Sequence, residues 1–144
     1  MDVNAEFLNE IRQNAEMGQN TLDKLLEFVT DVPFRQVLQG QFQEYKQIFD
    51  DATTQLRTMQ AEIQAPGKLQ KWQTDMMISL KTARDKTPDH IAEMLMQGNV
   101  MGMIQVTRRL KQYENRSTPQ VCGLADKLLK TEQQNLEQCR GFLG

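Results

Sequence analysis

The chain has 144 residues, of which 39% are hydrophobic and 25% charged, and its formal net charge at pH 7 is −2. This length is typical of one domain, and we expect a single helical-bundle domain over residues 1–144. Acidic and basic residues are interspersed along the chain. Without a basic block to attract a phosphate backbone or an anionic membrane surface, neither nucleic acid nor a membrane is an expected partner.

The first residues, MDVNAEFLNEIRQ, contain acids and amides where a secretory signal needs basic residues followed by an apolar run. No apolar stretch approaches the ~20 residues that cross a bilayer. The two cysteines, Cys122 and Cys139, fall on one predicted helix and are ~25 Å apart along it, too far for a disulfide. We therefore expect a cytoplasmic protein with reduced cysteines.

All four prolines lie where a helix begins or the chain turns: Pro33, Pro66, Pro88 and Pro119. Proline suits the first helical turn because its missing N–H would have no partner there. Thr87 and Thr118 precede two of them and are predicted N-caps. Between these breaks apolar residues recur every three or four positions, which predicts helices at about residues 3–30, 33–65, 68–86, 88–115 and 118–142.

The lengths of the connections indicate how these helices are arranged. The first two helices and the last two are each joined by a few residues, so each pair forms an antiparallel hairpin. The amphipathic run at 68–86 is long enough to carry the chain back along the bundle. This order predicts an all-α, ferritin-like four-helix bundle of two antiparallel hairpins joined by a long helical crossover. A five-helix up-and-down bundle is the alternative.

Four polar residues interrupt the apolar stripes at positions that face the core: Asn14, Asn99, Glu132 and Asn135. Hairpin folding brings Asn99 level with Glu132 and Asn135, which predicts a buried polar layer near the middle of the bundle. Burying such groups without partners is costly, so the layer must be hydrogen-bonded, hydrated or ion-binding. Boundary residues that reach solvent, or a satisfied network that sets the register, would explain the same pattern.

Two stretches resemble the Glu-x-x-His motifs of ferritin-like di-iron proteins, namely Glu44-x-x-Gln47 and Glu132-x-x-Asn135. In that family each of the two other helices adds a glutamate. Here amides stand in place of both histidines and, at Asn14 and Asn99, in place of the lone glutamates. Amide oxygens are weak ligands for transition metals. We therefore expect no metal, no cofactor and no catalytic residue.

The C-terminal part of the chain carries a second resemblance. The segment HIAEMLMQGN at 90–99, followed by Gly102, Val106, Leu110 and Tyr113, is similar to a group of small bacterial ferritin-like proteins of unknown function, and so is LLKTE at 128–132. The resemblance covers the chain well from His90 onward and the first half only in layout. It implies a ferritin-like fold and a bacterial source of the Firmicutes type, and it implies no activity.

One face of the fourth predicted helix is rich in methionine and glycine: Met96, Gly98, Gly102 and Met103. Two glycines four residues apart suit a close helix contact, and we expect this face to dock a protein partner or a second copy of the chain. The expected function is a non-enzymatic bundle that acts by oligomerisation or partner binding.

Two other functions stay open at this point. The first is a metal-binding or oxidoreductase bundle with irregular carboxylate ligands, which would be drawn from four glutamates: Glu16, Glu44, Glu93 and Glu132. The second is a structural protein of a bacterial assembly such as a spore.

Overall fold

The computed structural model describes residues 2–64, 74–79 and 85–144. Within these ranges the chain forms five helical segments and no strand, which confirms the predicted all-α class. The segments are α1 (Val3–Leu25), α2 (Val32–Thr58), α3 (residues 74–79), α4 (Pro88–Tyr113) and α5 (Pro119–Arg140). None of the helices searched in the described ranges is long and apolar enough to cross a membrane.

Side-chain caps begin the four long helices. Thr87 and Thr118 accept hydrogen bonds from backbone N–H groups three residues ahead, which confirms both predicted N-caps. Asp31 does the same for α2, and Asp2 accepts from the N–H of Asn4 at the start of α1. Each cap satisfies a backbone donor that has no partner within its helix.

Helix α1 ends at Leu25, five residues before the predicted boundary. The chain turns through residues 26–28, and the Arg35 guanidinium donates to the carbonyl oxygens of Leu26 and Val29. A side chain from α2 thus satisfies two carbonyls of the turn that follows α1. Helices α4 and α5 end two residues before their predicted boundaries.

Helix α2 ends at Thr58, well before the predicted residue 65. Gln60 has φ of 54°, and the N–H groups of Gln60 and Ala61 donate back to the carbonyls of Arg57 and Leu56. This pair of bonds is a Schellman motif, which usually has glycine at the left-handed position. Because glutamine carries no such signal in the sequence, the helix end was not predicted.

Asn9 of α1 holds the segment that follows this cap. Its amide nitrogen donates to the carbonyl oxygen of Glu62 at 2.9 Å, and its oxygen accepts from the backbone N–H of Gln64 at 2.8 Å. The predicted helix at 68–86 is helical at 74–79, where Met76 is buried. Its remaining positions at 68–73 and 80–84 lie outside the described residues.

Contacts within the hairpins show that both are antiparallel. Arg12 of α1 donates to Thr53 Oγ1 of α2, and Gly18, further along α1, lies against Tyr45, which comes earlier in α2. In the other hairpin Gly102 of α4 lies against Glu132 of α5, and Asn99, earlier in α4, contacts the backbone of Leu136, later in α5.

The two hairpins also pack antiparallel where α2 meets α5. The rings of Phe34 and Phe142 are 4.6 Å apart at one end of this contact. Lys127 and Asp51 form an ion pair of 3.9 Å nearer the other end.

Helices α1 and α4 form the remaining antiparallel contact. The rings of Phe7 and Tyr113 are 5.7 Å apart, and Arg109 pairs with Glu10 at 2.6 Å. Since α1 is antiparallel to both α2 and α4, the last two are parallel, so the end of α2 and the start of α4 lie at opposite ends of the bundle. Both topologies left open by the sequence have this arrangement.

Buried apolar side chains from all five segments form one core. The largest fully buried members include Phe7, Ile11, Phe34, Leu38, Ile48, Leu56, Ile91 and Leu128.

We predict that Asn9→Ala lowers the free energy of unfolding by about 1–3 kcal/mol, because Gln64 N–H and Glu62 C=O lose their partner. Urea denaturation followed by circular dichroism measures the change. Asn20→Ala is the matched control, since Asn20 is exposed on the same helix. Equal losses in the two variants would contradict the structural role of Asn9.

Candidate functional site

A carboxyl group lies at the centre of the bundle. Glu132 is 2% exposed and faces inward from α5, and Asn135, one turn further along, is fully buried. Both belong to the same inward stripe of α5 as Leu128 and Cys139, so the helix that buries the apolar residues also buries these two polar ones.

Two side chains from other helices bind the Glu132 carboxyl. The Tyr45 hydroxyl of α2 donates to Glu132 Oε2 at 2.8 Å. The hydrogen-bonding groups around Asn99 on α4 fix the orientation of its amide. With the nitrogen facing Glu132, the amide donates to the same oxygen at 2.8 Å. The Asn99 oxygen then accepts from the backbone N–H of Leu136 at 3.2 Å. Oε2 therefore has two donors.

Burial decides the protonation state of this carboxyl. Loss of solvent raises the pKa of Glu132 from 4.5 to about 8, and the bond from Tyr45 opposes the rise only in part. Glu132 is therefore a neutral acid at pH 7. Because Oε2 accepts both hydrogen bonds, we infer that the acid proton is on Oε1.

Tyr45 is also kept neutral. Burial raises its pKa well above 10, the Glu132 carboxylate adds to the rise, and the nearby Asn135 amide lowers it. The phenol is thus a stable hydrogen-bond donor over the whole physiological pH range.

Two glycines make room for this pair of side chains. A Cβ on Gly102 would lie 2.7 Å from Glu132 Oε1, and a Cβ on Gly18 would lie 2.8 Å from three atoms of the Tyr45 ring. Both distances are too short for non-bonded contacts. The carboxyl and the phenol occupy the space that side chains at these two positions would fill.

Asn14 completes the polar cluster from α1. Its amide nitrogen is 3.4 Å from the point where a Gly102 Cβ would stand, on the same side as Glu132 Oε1. Asn14 and Asn135 are both buried, and no polar atom of either amide makes a hydrogen bond of good geometry within the described residues. Such groups are usually satisfied by internal water.

A small cavity of about 20 Å³ adjoins the cluster. Tyr45, Asn99 and Glu132 line it together with Thr21, whose buried hydroxyl has no partner in the described part of the chain. A space of this size accommodates about one water molecule.

The structure places the predicted polar layer as one group: Asn14, Asn99, Glu132 and Asn135 are all buried around the same point. It does not bring the four candidate metal ligands together. Glu16 pairs with Arg12 at 3.7 Å, and Glu93 is exposed on α4. Among the described residues no group of three His, Cys, Asp or Glu side chains is arranged to hold a metal.

The structure places Glu44-x-x-Gln47 outside the polar cluster. Glu44 is half-buried at the surface, where desolvation raises its pKa and Lys127 opposes the rise. Gln47 is exposed and accepts a hydrogen bond from Lys127. Successive helical residues differ by about 100° in direction, so the inward position belongs to Tyr45 instead.

The predicted interaction face is also corrected. Gly98 and Gly102 are buried and face the interior, because Gly98 lines the cavity and Gly102 adjoins Glu132. Met96 and Met103 are half-buried on another side of α4. The glycines thus serve a close internal contact and offer no surface to a partner.

Comparison with protein-family models, curated proteins and solved structures yields no match to this chain. Its function is therefore inferred from its side chains.

The spacing of apolar residues puts Tyr45 and Gly18 on the inward stripes of their helices, but it gives neither of them a role in a polar cluster. A tyrosine in a fully inward stripe is a signal for a buried polar group, because its hydroxyl needs a partner. Gly18 carries no comparable signal in the sequence. Its contact with Tyr45 depends on the register between α1 and α2, which the sequence of one helix does not contain.

Glu132 makes the stability of the fold depend on pH. Its proton leaves the unfolded chain near pH 4.5 and the folded chain near pH 8, so between these values its contribution to the free energy of unfolding falls by about 1.4 kcal/mol per pH unit. We predict that Glu132→Gln removes this fall, as measured by urea denaturation from pH 5 to about pH 8. Glu137→Gln, at an exposed site on the same helix, should keep the wild-type slope. Parallel profiles for wild type and Glu132→Gln would show that Glu132 is ionised in the fold.

We predict that Gly18→Ala destabilises the protein by about 1–3 kcal/mol, because the new methyl group must displace the buried Tyr45 ring. Gly40→Ala is the control. Gly40 lies within α2, and no atom is within 4 Å of the point where its Cβ would stand, so alanine there should stabilise the helix by up to about 1 kcal/mol. Thermal unfolding compares the two, and a Gly18→Ala variant as stable as Gly40→Ala would contradict the packing.

Proposed function

We propose that the chain is a cytoplasmic, non-enzymatic, ferritin-like helical bundle that lacks di-iron ligands and acts through its surface, by oligomerisation or by binding a protein partner. The observation that carries this proposal is the composition of the polar cluster, in which Glu132 is the one carboxyl and its Oε2 already accepts hydrogen bonds from Tyr45 and Asn99.

The directions of the helices support the ferritin-like part of the proposal. Two antiparallel hairpins pack with α1 beside α4 and α2 beside α5, and α2 and α4 run parallel. A ferritin-like bundle with one long crossover has this set of directions. The polar cluster lies in the core between facing helices, where such bundles build their ligand sites.

The residues present do not fit a di-iron centre. That centre takes a glutamate from each of two helices and a Glu-x-x-His pair from each of the others. Here α1 and α4 supply Asn14 and Asn99, α2 supplies Tyr45, and α5 supplies Glu132 with Asn135. One carboxyl with two donors already on Oε2 cannot replace four carboxylates.

The protonation states argue against a general base or a metal ligand in the interior. A general base or a metal-binding carboxylate must be ionised to act. Burial raises the pKa of both Glu132 and Tyr45, so each is neutral at pH 7. The two groups satisfy each other and serve the packing of the helices.

The surface supports association. Large apolar side chains are exposed on α4 at Val100 and Ile104, which are 41% and 49% accessible and lie one turn apart on the same side. Exposed apolar residues that adjoin one another are typical of contact surfaces, whereas single ones are common on any protein.

Iron loading tests the proposal. After aerobic incubation with ferrous iron and gel filtration, we expect the wild-type chain to carry no stoichiometric metal by elemental analysis. The same measurement on Glu132→Gln should give the same result. Stoichiometric iron in the wild type that is lost in Glu132→Gln and kept in Glu137→Gln would overturn the proposal in favour of an irregular metal site.

A further inference from the structure

The outward side of α4 carries a line of four exposed residues. Glu93, Val100, Ile104 and Lys111 are spaced by seven, four and seven positions, so they lie on one side of the helix, opposite the buried stripe. We call this line the outer α4 stripe. It is ~27 Å long, with an acid at one end, a base at the other and two branched apolar residues between them.

The outer α4 stripe is symmetric about its centre. Glu93 and Lys111 lie at equal distances on either side of residue 102, and so do Val100 and Ile104. If a second copy of α4 is laid antiparallel against the first, each Glu93 meets a Lys111 and each Val100 meets an Ile104. A parallel copy would instead place like charges against each other at both ends.

We propose that two copies of the chain associate through the outer α4 stripe, with the two α4 helices antiparallel about a twofold axis at the level of residue 102. This pairing rests on the proposed function, and it names a second copy as the partner. A twofold contact requires a surface that is complementary to itself, and the order acid, apolar, apolar, base meets that requirement.

The state of the charged residues supports the pairing. Glu93 and Lys111 are exposed, and neither forms an ion pair within the described part of the chain. Several other charges on the two helices have ion-pair partners in the same copy, namely Arg109, Asp126, Lys127, Lys130, Glu137 and Arg140, whereas Asp89 and Arg108 of α4 form no ion pair within the described residues. The two ends of the stripe are thus available to a second copy.

The apolar centre supplies the attraction, and the charges set the orientation. A contact of one helix against another is at the small end of specific interfaces. We therefore expect a reversible dimer with a dissociation constant in the micromolar range.

Sedimentation equilibrium of the full chain, from low to high micromolar concentration, tests the pairing. The wild type should move from monomer to dimer over this range. Glu93→Lys and Lys111→Glu should each weaken the dimer on the order of tenfold, because each places like charges together at both ends. Asp23→Lys, an exposed charge reversal on α1, is the control and should leave the dissociation constant unchanged.

Mixing the two weakened variants gives the sharpest result. A chain with lysine at both ends of the stripe complements a chain with glutamate at both ends, so an equimolar mixture should dimerise at least as well as the wild type. Circular dichroism should show unchanged helix content in every variant.

Two results would overturn the antiparallel pairing. One is a wild-type chain that stays monomeric at high micromolar concentration. The other is a dimer that neither charge reversal weakens, which would place the contact elsewhere and leave surface association intact. Iron loading distinguishes failure of the proposed function from failure of the pairing. Stoichiometric iron that depends on Glu132 would overturn the proposed function, whether the chain is a monomer or a dimer.

Discussion

The interior of this bundle is organised around the cost of burying the Glu132 carboxyl. An ionised carboxylate in this environment would lose its hydration without a cation to replace it. Burial therefore raises its pKa to about 8, and the neutral acid needs hydrogen-bond partners of its own. Tyr45 and Asn99 provide donors to Oε2, and Gly102 leaves space beside Oε1. With Asn14 on α1, each of the four long helices contributes to one polar cluster.

This arrangement links the two hairpins. The bond from Tyr45 to Glu132 joins α2 to α5, and it forms only in one register, because the Tyr45 ring must also lie against Gly18. A slip of one turn would leave the buried Glu132 acid without its donors. It would also press the Tyr45 ring against a residue larger than Gly18. Apolar contacts tolerate such slips better than hydrogen bonds do. The cluster thus selects one packing of the helices, and the same partners occupy both lone pairs of Oε2.

Much of the fold follows from local features of the sequence. The spacing of apolar residues predicts the helices, the prolines with Thr87 and Thr118 predict the helix starts, and the stripe of α5 predicts that Glu132 points inward. The end of α2 could not be predicted, because its left-handed residue is Gln60 rather than glycine. The resemblance to Glu-x-x-His directed attention on α2 to Glu44, whereas the polar cluster takes its neighbour Tyr45, whose hydroxyl reaches Glu132. The contacts of the glycines depend on the register between helices, which sequence spacing within one helix does not contain.

A neutral interior and an apolar, charge-symmetric outer face on α4 are the two features from which we propose that the function lies on the surface. The central claim is that Glu132 is protonated in the folded state at neutral pH, and it can be measured directly. In a sample labelled with carbon-13 at the glutamate side chains, the Glu132 carboxyl resonance, identified by its loss in Glu132→Gln, should titrate with a midpoint near pH 8. A midpoint near the ordinary value of 4.5 would show an ionised carboxylate inside the bundle at pH 7 and would contradict the account.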